Sequence, residues 1–229
     1  DKKVLYKYIE VIDGCAYNFE GGCVNVRSGP GENYDVVLRL RTGMTLKVTD
    51  IVMGDGKYWY KISFDGWVRY PERLSSNLYV AKDFVRPFLD EGVIDLDKNK
   101  LATSTKRIVV DRSDQTLYAY DGDQLFLETK VSTGLLETPT PRGIFTVYKK
   151  MPSRYMQGPI PGVNSDKPYD LPGVPWNLYF TDNGLVIHGA YWHNDFGHMH
   201  SNGCVNLPVD MAKKLYEWAD VGIQVEVRE

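Results

Sequence analysis

The feature that most constrains this chain is a repeated alternation of apolar and polar residues over short runs, each ended by turn-forming residues. From Val24 onward the runs read VNVRSGPGENYDVVLRL, RTGMTLKVTDIV, KYWYKISF and DGWVRY, punctuated by SGPGEN, TG, MGDG and FDG. Alternation with period two predicts strands with one buried face, and the punctuation predicts tight turns. The 21 glycines and 12 prolines agree with this interpretation. We therefore predict a mostly β protein whose first part has the pattern of a small β-barrel.

A change of rhythm divides the chain into two parts. After about Pro71 the alternation is lost in PERLSSN, AKDFVRPFLDEGVIDLDKNK and ATSTK, and strands resume at Arg107. We predict a first domain over residues 1–75, a linker over 76–104 and a second domain over 105–229.

The second part contains one strong helical signal, close to its end. After Pro208 the residues Met211, Leu215 and Trp218 recur at helical spacing, and Gly222 follows them. Proline at a helix start and glycine after its end are typical boundary residues. We predict one C-terminal helix followed by a strand.

Composition and charge exclude several classes of protein. A net charge of −3, from 27 basic and 30 acidic residues, provides no overall basic field for nucleic acid. An apolar content of 43% excludes disorder. No run approaches the roughly 18 to 20 apolar residues of a membrane helix, and no signal-peptide core opens the chain. We predict no nucleic-acid partner and no transmembrane segment in this chain, which is either cytosolic or exported by a signal that its sequence does not include.

The three cysteines help to decide between these compartments. Cys15 and Cys23 stand eight residues apart in a glycine-rich segment, and Cys204 is distant from both. A short-range pair flanking a turn suits a disulfide in an oxidising compartment, and the remaining cysteine is then the reactive one. The alternative is that all three are reduced packing residues.

The sharpest chemical signal is HGAYWHNDFGHMHSNGCVNLP at residues 188–208, which contains all four histidines and the third cysteine. A cysteine nucleophile needs a nearby base and backbone donors that hold an oxyanion. His188 supplies a base, Cys204 the nucleophile, and Gly203 a sharp turn with N–H groups directed to one point. Zinc binding is an alternative for such a cluster, but the sequence has no HExxH helix. We predict no metal and no cofactor.

Residues 107–228 resemble the L,D-transpeptidase catalytic domain, the YkuD-like fold. The family hallmark is a His-Gly pair followed by Ser-His-Gly-Cys-(Val/Ile)-(Asn/Arg), and His188-Gly189 with Ser201-Asn202-Gly203-Cys204-Val205-Asn206 take these places. Supporting matches are IVVDRSDQTLYAY at 108–120, VSTG at 131–134, TPTPRGIF at 138–145 and VPWNLYFT at 174–181. Asn202 stands where the family usually has histidine, and asparagine acts there only as a neutral hydrogen-bond partner.

The resemblance implies a YkuD-like β-sandwich that performs acyl transfer on peptidoglycan stem peptides. Cys204 would attack the third residue of a donor tetrapeptide, His188 would move the proton, and the N–H groups of Gly203 and Cys204 would hold the oxyanion. A neighbouring stem's amine as acceptor gives a 3→3 cross-link, and water gives an L,D-carboxypeptidase. Ser201 either orients His188 or is a turn residue. Covalent inhibition by carbapenems is expected.

Substrate contacts are predicted for residues around the motif. His193 is the best candidate to line the cleft, and the other candidates are Tyr191, Trp192, Asn202, Asn206 and Trp176. His193 and His200 are also candidates to replace the family's second histidine in part. The alternative for His193, His198 and His200 is a solvated or structural role.

A Pro- and Gly-rich excursion from Met151 to Pro175 is too long for an ordinary connection. The family resemblance implies a lid at this place, with Tyr155, Tyr169 and Trp176 as candidate stacking surfaces. The alternative is that these aromatic residues anchor the loop.

Residues 24 to about 70 resemble a bacterial SH3-like module. Val24-Asn25-Val26-Arg27-Ser28-Gly29-Pro30-Gly31 matches its opening strand and turn, and Trp59-Tyr60-Lys61-Ile62 with Gly66-Trp67-Val68 matches its closing strands. Such modules often accompany cell-wall enzymes and are taken to bind wall peptides. The alternative is a spacer, since a fold does not establish binding.

These signals together predict an extracytoplasmic enzyme, secreted or facing the cell wall, that acts in peptidoglycan biosynthesis, cell wall organization and cell shape. Three rival functions remain. A catalytically inactive cell-wall-binding protein follows if Asn202 abolishes activity. A zinc hydrolase and an L,D-carboxypeptidase are the others.

Overall fold

The structure is a computed structural model that describes residues 3–66, 68–74, 77–97, 104–158 and 168–229. Its first seven strands are β1 (Tyr6–Val11), β2 (Val24–Arg27), β3 (Val36–Leu40), β4 (Thr45–Gly54), β5 (Lys57–Ser63), β6 (Tyr79–Ala81) and β7 (Val85–Asp90). The following strands are β8 (Ile94–Asp95), β9 (Lys106–Asp111), β10 (Thr116–Asp121), β11 (Gln124–Lys130), β12 (Gly143–Thr146), β13 (Lys149–Gln157), β14 (Asp170–Tyr179), β15 (Val186–Gly189), β16 (Val205–Leu207) and β17 (Gln224–Arg228). Helix α1 (Val209–Trp218) lies between β16 and β17, which confirms a mostly β protein with a C-terminal helix.

The chain forms two compact units, and each is assembled from more than one stretch of sequence. The first unit contains Asp1–Gly92, Ser153–Val174 and Tyr191–His193. The second contains Val93–Pro152, Pro175–Ala190 and Asn194–Glu229. These units differ from the contiguous domains predicted from the sequence, because two later segments join the first unit.

The first unit is built on a seven-stranded antiparallel sheet in the order β3-β2-β6-β5-β4-β1-β7. Asp55 and Gly56 connect β4 to β5 with positive φ angles of 48° and 75°, as the MGDG punctuation predicts. Its buried apolar residues include Tyr8, Val26, Leu40, Leu46, Trp59 and Val80. Among the described residues β3 and β7 are the edges of this sheet. The first unit is therefore an open sheet and not the small β-barrel that the sequence predicted. Alternation alone does not specify closure, which depends on strand tilt and stagger.

The segment predicted to be a linker, residues 76–104, contains three strands. β6 pairs with β2 and β5, β7 pairs with β1, and β8 pairs with β13. β6 and β8 are only three and two residues long, and β7 reads VRPFLD. β6 and β8 are too short for a period-two signal, β7 is interrupted by proline and charged residues, and all three depend on partners distant in sequence.

The remaining strands form two five-stranded sheets, in the orders β11-β10-β9-β17-β12 and β16-β15-β14-β13-β8. β9 and β17 run parallel, as do β15 and β16. Helix α1 follows Pro208 directly and buries Ala212, Leu215 and Tyr216, and it contacts β15. The helix therefore stabilises the strand that ends in the His-Gly pair.

The described residues of the excursion from Met151 to Pro175 are largely strand. β13 and β14 occupy its two ends, and the tip of the predicted lid, residues 159–167, lies outside the described residues. Within the first unit the Ser153 hydroxyl donates to the carbonyl oxygen of Thr45, at the start of β4. Gly173 has φ +64°, and a Cβ there would lie 2.8 Å from the same oxygen. This part of the excursion therefore packs as ordered structure.

Across the part of the chain that the structure describes, no helix has the length and apolar character needed to cross a membrane.

Candidate active site

Cys204 ends a tight turn formed by residues 201–204, directly before β16. The Gly203 N–H donates to Ser201 Oγ at 3.1 Å, and the Ser201 hydroxyl donates to the Cys204 carbonyl. Gly203 has φ +110°, which glycine adopts without a steric penalty. A Cβ at Gly203 would also lie 3.0 Å from Leu185 Cδ2. The Ser-Asn-Gly-Cys sequence thus forms a local turn that presents a half-buried thiol outside the disulfide.

His188 lies on β15, whose parallel neighbour β16 begins immediately after Cys204. The register pairs His188 with Asn206 and Ile187 with Val205. Cys204 therefore stands two residues before the position opposite His188. With neighbouring strands about 4.8 Å apart and a rise of about 3.3 Å per residue, the two Cα atoms lie roughly 8 Å apart. The fold therefore places the predicted nucleophile, Cys204, and the predicted base, His188, close together at adjoining backbone positions.

The imidazole of His188 is held in one orientation. It is 1% exposed, and its Nδ1 lies 3.0 Å from the carbonyl oxygen of Gly189. Because a carbonyl only accepts, the neutral ring carries its proton on Nδ1 and its lone pair on Nε2. An imidazole with an accepting Nε2 is suited to take the proton of a thiol.

The VSTG segment binds both ends of the turn. Ser132 exchanges two backbone hydrogen bonds with Asn206, each 2.9 Å long. The Thr133 carbonyl accepts the N–H groups of His200 at 3.0 Å and Ser201 at 3.1 Å. The residues before and after the turn are therefore fixed to the same backbone segment.

Thr140 and Gly134 pack against the middle of the turn. The Thr140 hydroxyl donates to the Gly203 carbonyl at 2.8 Å and accepts the Gly134 N–H at 2.9 Å. A Cβ on Gly134 would lie 2.1 Å from the Thr138 carbonyl oxygen and 2.9 Å from Gly203 Cα. Position 134 thus needs glycine, because two backbones approach closely there.

Gln115 is a supporting residue that the sequence did not single out. Its side chain accepts the Thr133 N–H at 2.8 Å and donates to Thr133 Oγ1 at 2.7 Å and to the Arg112 carbonyl at 2.7 Å. It is 5% exposed. Thr140 was missed in the same way, although TPTPRGIF and IVVDRSDQTLYAY marked the segments that carry the two residues.

The predicted roles of Ser201 and Gly203 are narrowed by these contacts. Ser201 was predicted either to orient His188 or to be a turn residue. Both hydrogen bonds of its hydroxyl lie within the turn and fit the second role. The Gly203 N–H, one of two predicted oxyanion donors, donates to Ser201 within the turn. The N–H of Cys204, the other predicted oxyanion donor, stays a prediction.

Three predicted substrate contacts, Tyr191, Trp192 and His193, belong to the first unit. Tyr191 is 3% exposed, and its hydroxyl donates to the Pro172 carbonyl at 2.6 Å. Burial raises the pKa of Tyr191. His193 is 7% exposed, and Trp192 packs edge-on against Tyr191. Tyr191 thus has the contacts of a packing residue, and substrate contacts of Trp192 and His193 stay predictions.

Trp176 is also a packing residue and not an open stacking surface. It is 2% exposed, and its ring lies 5.4 Å from that of Tyr216 on α1. Tyr155 on the same excursion is 3% exposed and donates to Asp170 at 2.9 Å, so it fits the anchoring alternative. A run of aromatic residues in a Pro- and Gly-rich segment does not reveal which side of a strand each will occupy. Of the two predicted amide contacts, Asn202 is exposed and Asn206 is buried.

Two further histidines of the motif, His198 and His200, lie near the carboxylate of Asp195. His198 Nδ1 lies 3.0 Å and His200 Nδ1 3.8 Å from oxygens of Asp195, all at exposed positions. Within the described ranges no three His, Cys, Asp or Glu side chains are placed to hold one metal ion.

The predicted Cys15–Cys23 disulfide is present in the first unit. Beside it lies a groove of about 390 Å³. Its charged lining residues are Asp13, Arg27, Glu32 and Lys57, and Trp59 contributes apolar surface. Lys57 bonds Glu32 at 2.5 Å and thereby lowers the pKa of that carboxyl. The groove presents both signs of charge.

Sequence comparison finds two family matches. The L,D-transpeptidase catalytic domain family, YkuD, matches residues 105–227, and the bacterial SH3 domain family matches residues 22–73. Probable L,D-transpeptidase 3 of Mycobacterium tuberculosis (strain ATCC 25618 / H37Rv) is 34% identical over 102 residues, which are 43% of this chain and 37% of that protein. The matched part of the chain thus spans just over a third of this curated relative.

Solved structures with a similar fold include the L,D-transpeptidase from Mycobacterium smegmatis, with a TM-score of 0.51 and 21% identity over 80% of this chain and 99% of that one. L,D-transpeptidase 3 from Mycobacterium tuberculosis, solved in complex with a faropenem-derived adduct, has a TM-score of 0.50 and 20% identity over 80% of this chain and 98% of that one. At these identities the two structures support the fold alone.

Proposed function

Since this chain belongs to the L,D-transpeptidase catalytic domain family, we propose that it is a cysteine-dependent L,D-transpeptidase that forms 3→3 cross-links between peptidoglycan stem peptides. The observation that carries the proposal is the placement of Cys204 directly before β16, whose parallel neighbour β15 carries His188. The hydrogen bond from His188 Nδ1 to Gly189 supports it, because the lone pair is then on Nε2.

In the first half-reaction His188 Nε2 takes the proton of the Cys204 thiol. The sulfur forms a bond to the carbonyl carbon of the third residue in a donor tetrapeptide, and the carbonyl oxygen becomes an oxyanion. The C–N bond to the terminal D-Ala then breaks, and His188 returns the proton to the leaving amine. The product is a thioester on Cys204.

In the second half-reaction the side-chain amine of a neighbouring stem attacks the thioester carbonyl. His188 takes a proton from this amine, the C–S bond breaks, and the proton passes to the sulfur. The products are an amide cross-link and the original thiol. Water in place of the amine gives a trimmed tripeptide, which is the L,D-carboxypeptidase alternative.

Intact mass spectrometry after incubation with a carbapenem tests the nucleophile, with Cys204→Ala as the control. The relative solved with a faropenem-derived adduct makes a β-lactam a suitable probe. We expect the native chain to gain one carbapenem mass and the variant none. A native chain that folds, keeps its thiol and gains no mass contradicts the proposal and favours an inactive wall-binding protein.

Incubation with a disaccharide tetrapeptide then separates the reactions. Dimeric product supports the transpeptidase, and trimmed tripeptide without dimer supports the carboxypeptidase. The same assay with a metal chelator addresses the zinc alternative, since a thiol-dependent reaction keeps its rate.

We further propose an extracytoplasmic location, secreted or facing the wall. The Cys15–Cys23 disulfide supports it, because disulfides persist in oxidising compartments. Cell fractionation with a non-reducing thiol-trapping gel tests it, and a reduced protein found only in cytosol contradicts it.

We also propose that the groove of the SH3-like unit binds wall peptides. Stem peptides carry amine and carboxylate groups, and the groove lining contains both signs of charge, in Asp13, in Arg27 and in the Lys57–Glu32 pair. Retention on purified peptidoglycan tests this with Lys57→Met, and Lys61→Met is the matched control because Lys61 lies on the same strand but outside the groove lining. Equal retention of both variants and the native chain contradicts it.

A further inference from the structure

We infer that Thr140 is a positioning residue that orients the N–H of Cys204 through one rigid peptide unit. The inference rests on the proposed function, since it concerns acylation of Cys204. On this inference Thr140 is the group that holds the predicted oxyanion donor, the N–H of Cys204, in place.

The Thr140 hydroxyl is buried, and it both donates and accepts a hydrogen bond. It donates to the Gly203 carbonyl at 2.8 Å and accepts the Gly134 N–H at 2.9 Å, and the residue is 0% exposed. Because the Gly134 N–H only donates and the Gly203 carbonyl only accepts, the hydroxyl hydrogen points toward Gly203.

The Gly203 carbonyl and the Cys204 N–H belong to the same peptide unit. This unit is planar, and in its trans form the C=O and N–H bonds point in opposite directions. A hydrogen bond that fixes the carbonyl therefore fixes the N–H on the other side. The same bond polarises the peptide and makes its N–H a stronger donor.

Glycine makes this restraint necessary. Gly203 has φ +110° and no Cβ, so its backbone has more freedom to rotate than that of other residues. Its own N–H is directed to Ser201 and fixes the preceding peptide unit. Thr140 acts on the following unit, the one that carries the Cys204 N–H.

Two reactions of the same thiol separate this role from a general effect on the turn. Acylation by a carbapenem passes through a tetrahedral oxyanion, which a directed N–H stabilises. Alkylation by iodoacetamide forms a C–S bond as iodide leaves, and no oxyanion develops. A group that only orients the oxyanion donor changes the first rate and not the second.

The test compares Thr140→Val with Thr140→Ser in the full chain. For Thr140→Val we expect a fall in carbapenem acylation rate of about tenfold to a hundredfold, below the loss from deleting an oxyanion donor. The iodoacetamide rate should stay within about twofold of the native rate from pH 5 to 9. Thr140→Ser keeps the hydroxyl and should restore acylation to within about threefold.

An unchanged acylation rate in a folded Thr140→Val chain overturns the inference, as does an equal fall in both rates. If the valine variant does not fold, Thr140→Cys, a weaker donor of similar size, is measured the same way and should lie between native and a tenfold loss. A native chain that is alkylated by iodoacetamide but not acylated by the carbapenem contradicts the proposed function itself, which is a separate outcome.

Discussion

The loop at 15–23 in the first unit and the turn at 201–204 in the second are held by different means. The loop is closed by the disulfide between Cys15 and Cys23. Arg41 reinforces it, since its guanidinium donates to the Tyr17 carbonyl at 3.0 Å and lies 4.4 Å from the ring of Phe19. The turn instead depends on hydrogen bonds from backbone groups and buried hydroxyls.

This difference suits what each segment has to do. A cross-link limits how far two chain positions separate but does not by itself set the direction of the peptide groups between them. Each hydrogen bond on the turn fixes the direction of one peptide group. A site that needs an N–H aimed at a developing charge is therefore better served by the second arrangement.

The largest effect should come from Gly134→Ala. The new Cβ would lie 2.1 Å from the Thr138 carbonyl oxygen, so backbone must move, and we expect a loss of about 3 kcal/mol in the free energy of unfolding. Urea denaturation measures it. Gly22→Ala is the control in the disulfide loop, where a Cβ would have no atom within 4 Å, and it should change stability by under about 0.5 kcal/mol. Similar losses for both variants would mean that the turn is no more tightly packed than the loop.

The next effect should come from removal of the disulfide in Cys15→Ala/Cys23→Ala. Loop-closure entropy for this short span predicts a loss of about 2.5 kcal/mol in the free energy of unfolding. The carbapenem acylation rate of Cys204 should stay within about twofold, because the turn has its own hydrogen bonds. A large fall in acylation in the folded variant would show that the two segments are coupled.

Ser201→Ala should cost about 2 kcal/mol of stability, because it leaves the Gly203 N–H and the Cys204 carbonyl without the hydroxyl that joins them. If Ser201 acts on the turn, the pH profile of Cys204 alkylation keeps its midpoint. A shifted midpoint would instead support the other predicted role, orientation of His188. Ser201→Thr retains the hydroxyl and serves as the control.

The smallest effect should come from Arg41→Lys. Lysine keeps the charge but loses the planar group that lies over Phe19, and we expect a loss of about 1 kcal/mol. Thermal unfolding with the disulfide intact and reduced measures it. The loss should grow after reduction, when the arginine is left to hold the loop; an unchanged loss would show that the two restraints are independent.

The candidate pair of Cys204 and His188, the disulfide spacing and the fold class were accessible from the sequence because they depend on local signals. Cys204 follows a glycine, His188 ends an apolar run, and Pro208 precedes a helix. Alternation over several residues likewise predicts a strand wherever its partner lies.

What the sequence did not reveal depends on contacts between distant residues. β7 reads VRPFLD, without a clear alternation, and it is a strand because β1 pairs with it about 80 positions earlier. Thr140 and Gln115 are ordinary polar residues until folding brings them against Gly203 and Thr133. Burial of Trp176 against α1 similarly depends on a helix that lies more than 30 residues later.

The discontinuous make-up of the first unit has a consequence for the order of synthesis. Strands β1 to β7 leave the ribosome well before Ser153–Val174 and Tyr191–His193 have been made. The Thr45 carbonyl, for example, cannot accept its hydrogen bond until Ser153, 108 positions later in the chain, has been synthesised. The first unit therefore acquires its last contacts only when most of the second unit has been translated. A fragment that stops at Gly92 lacks these contacts.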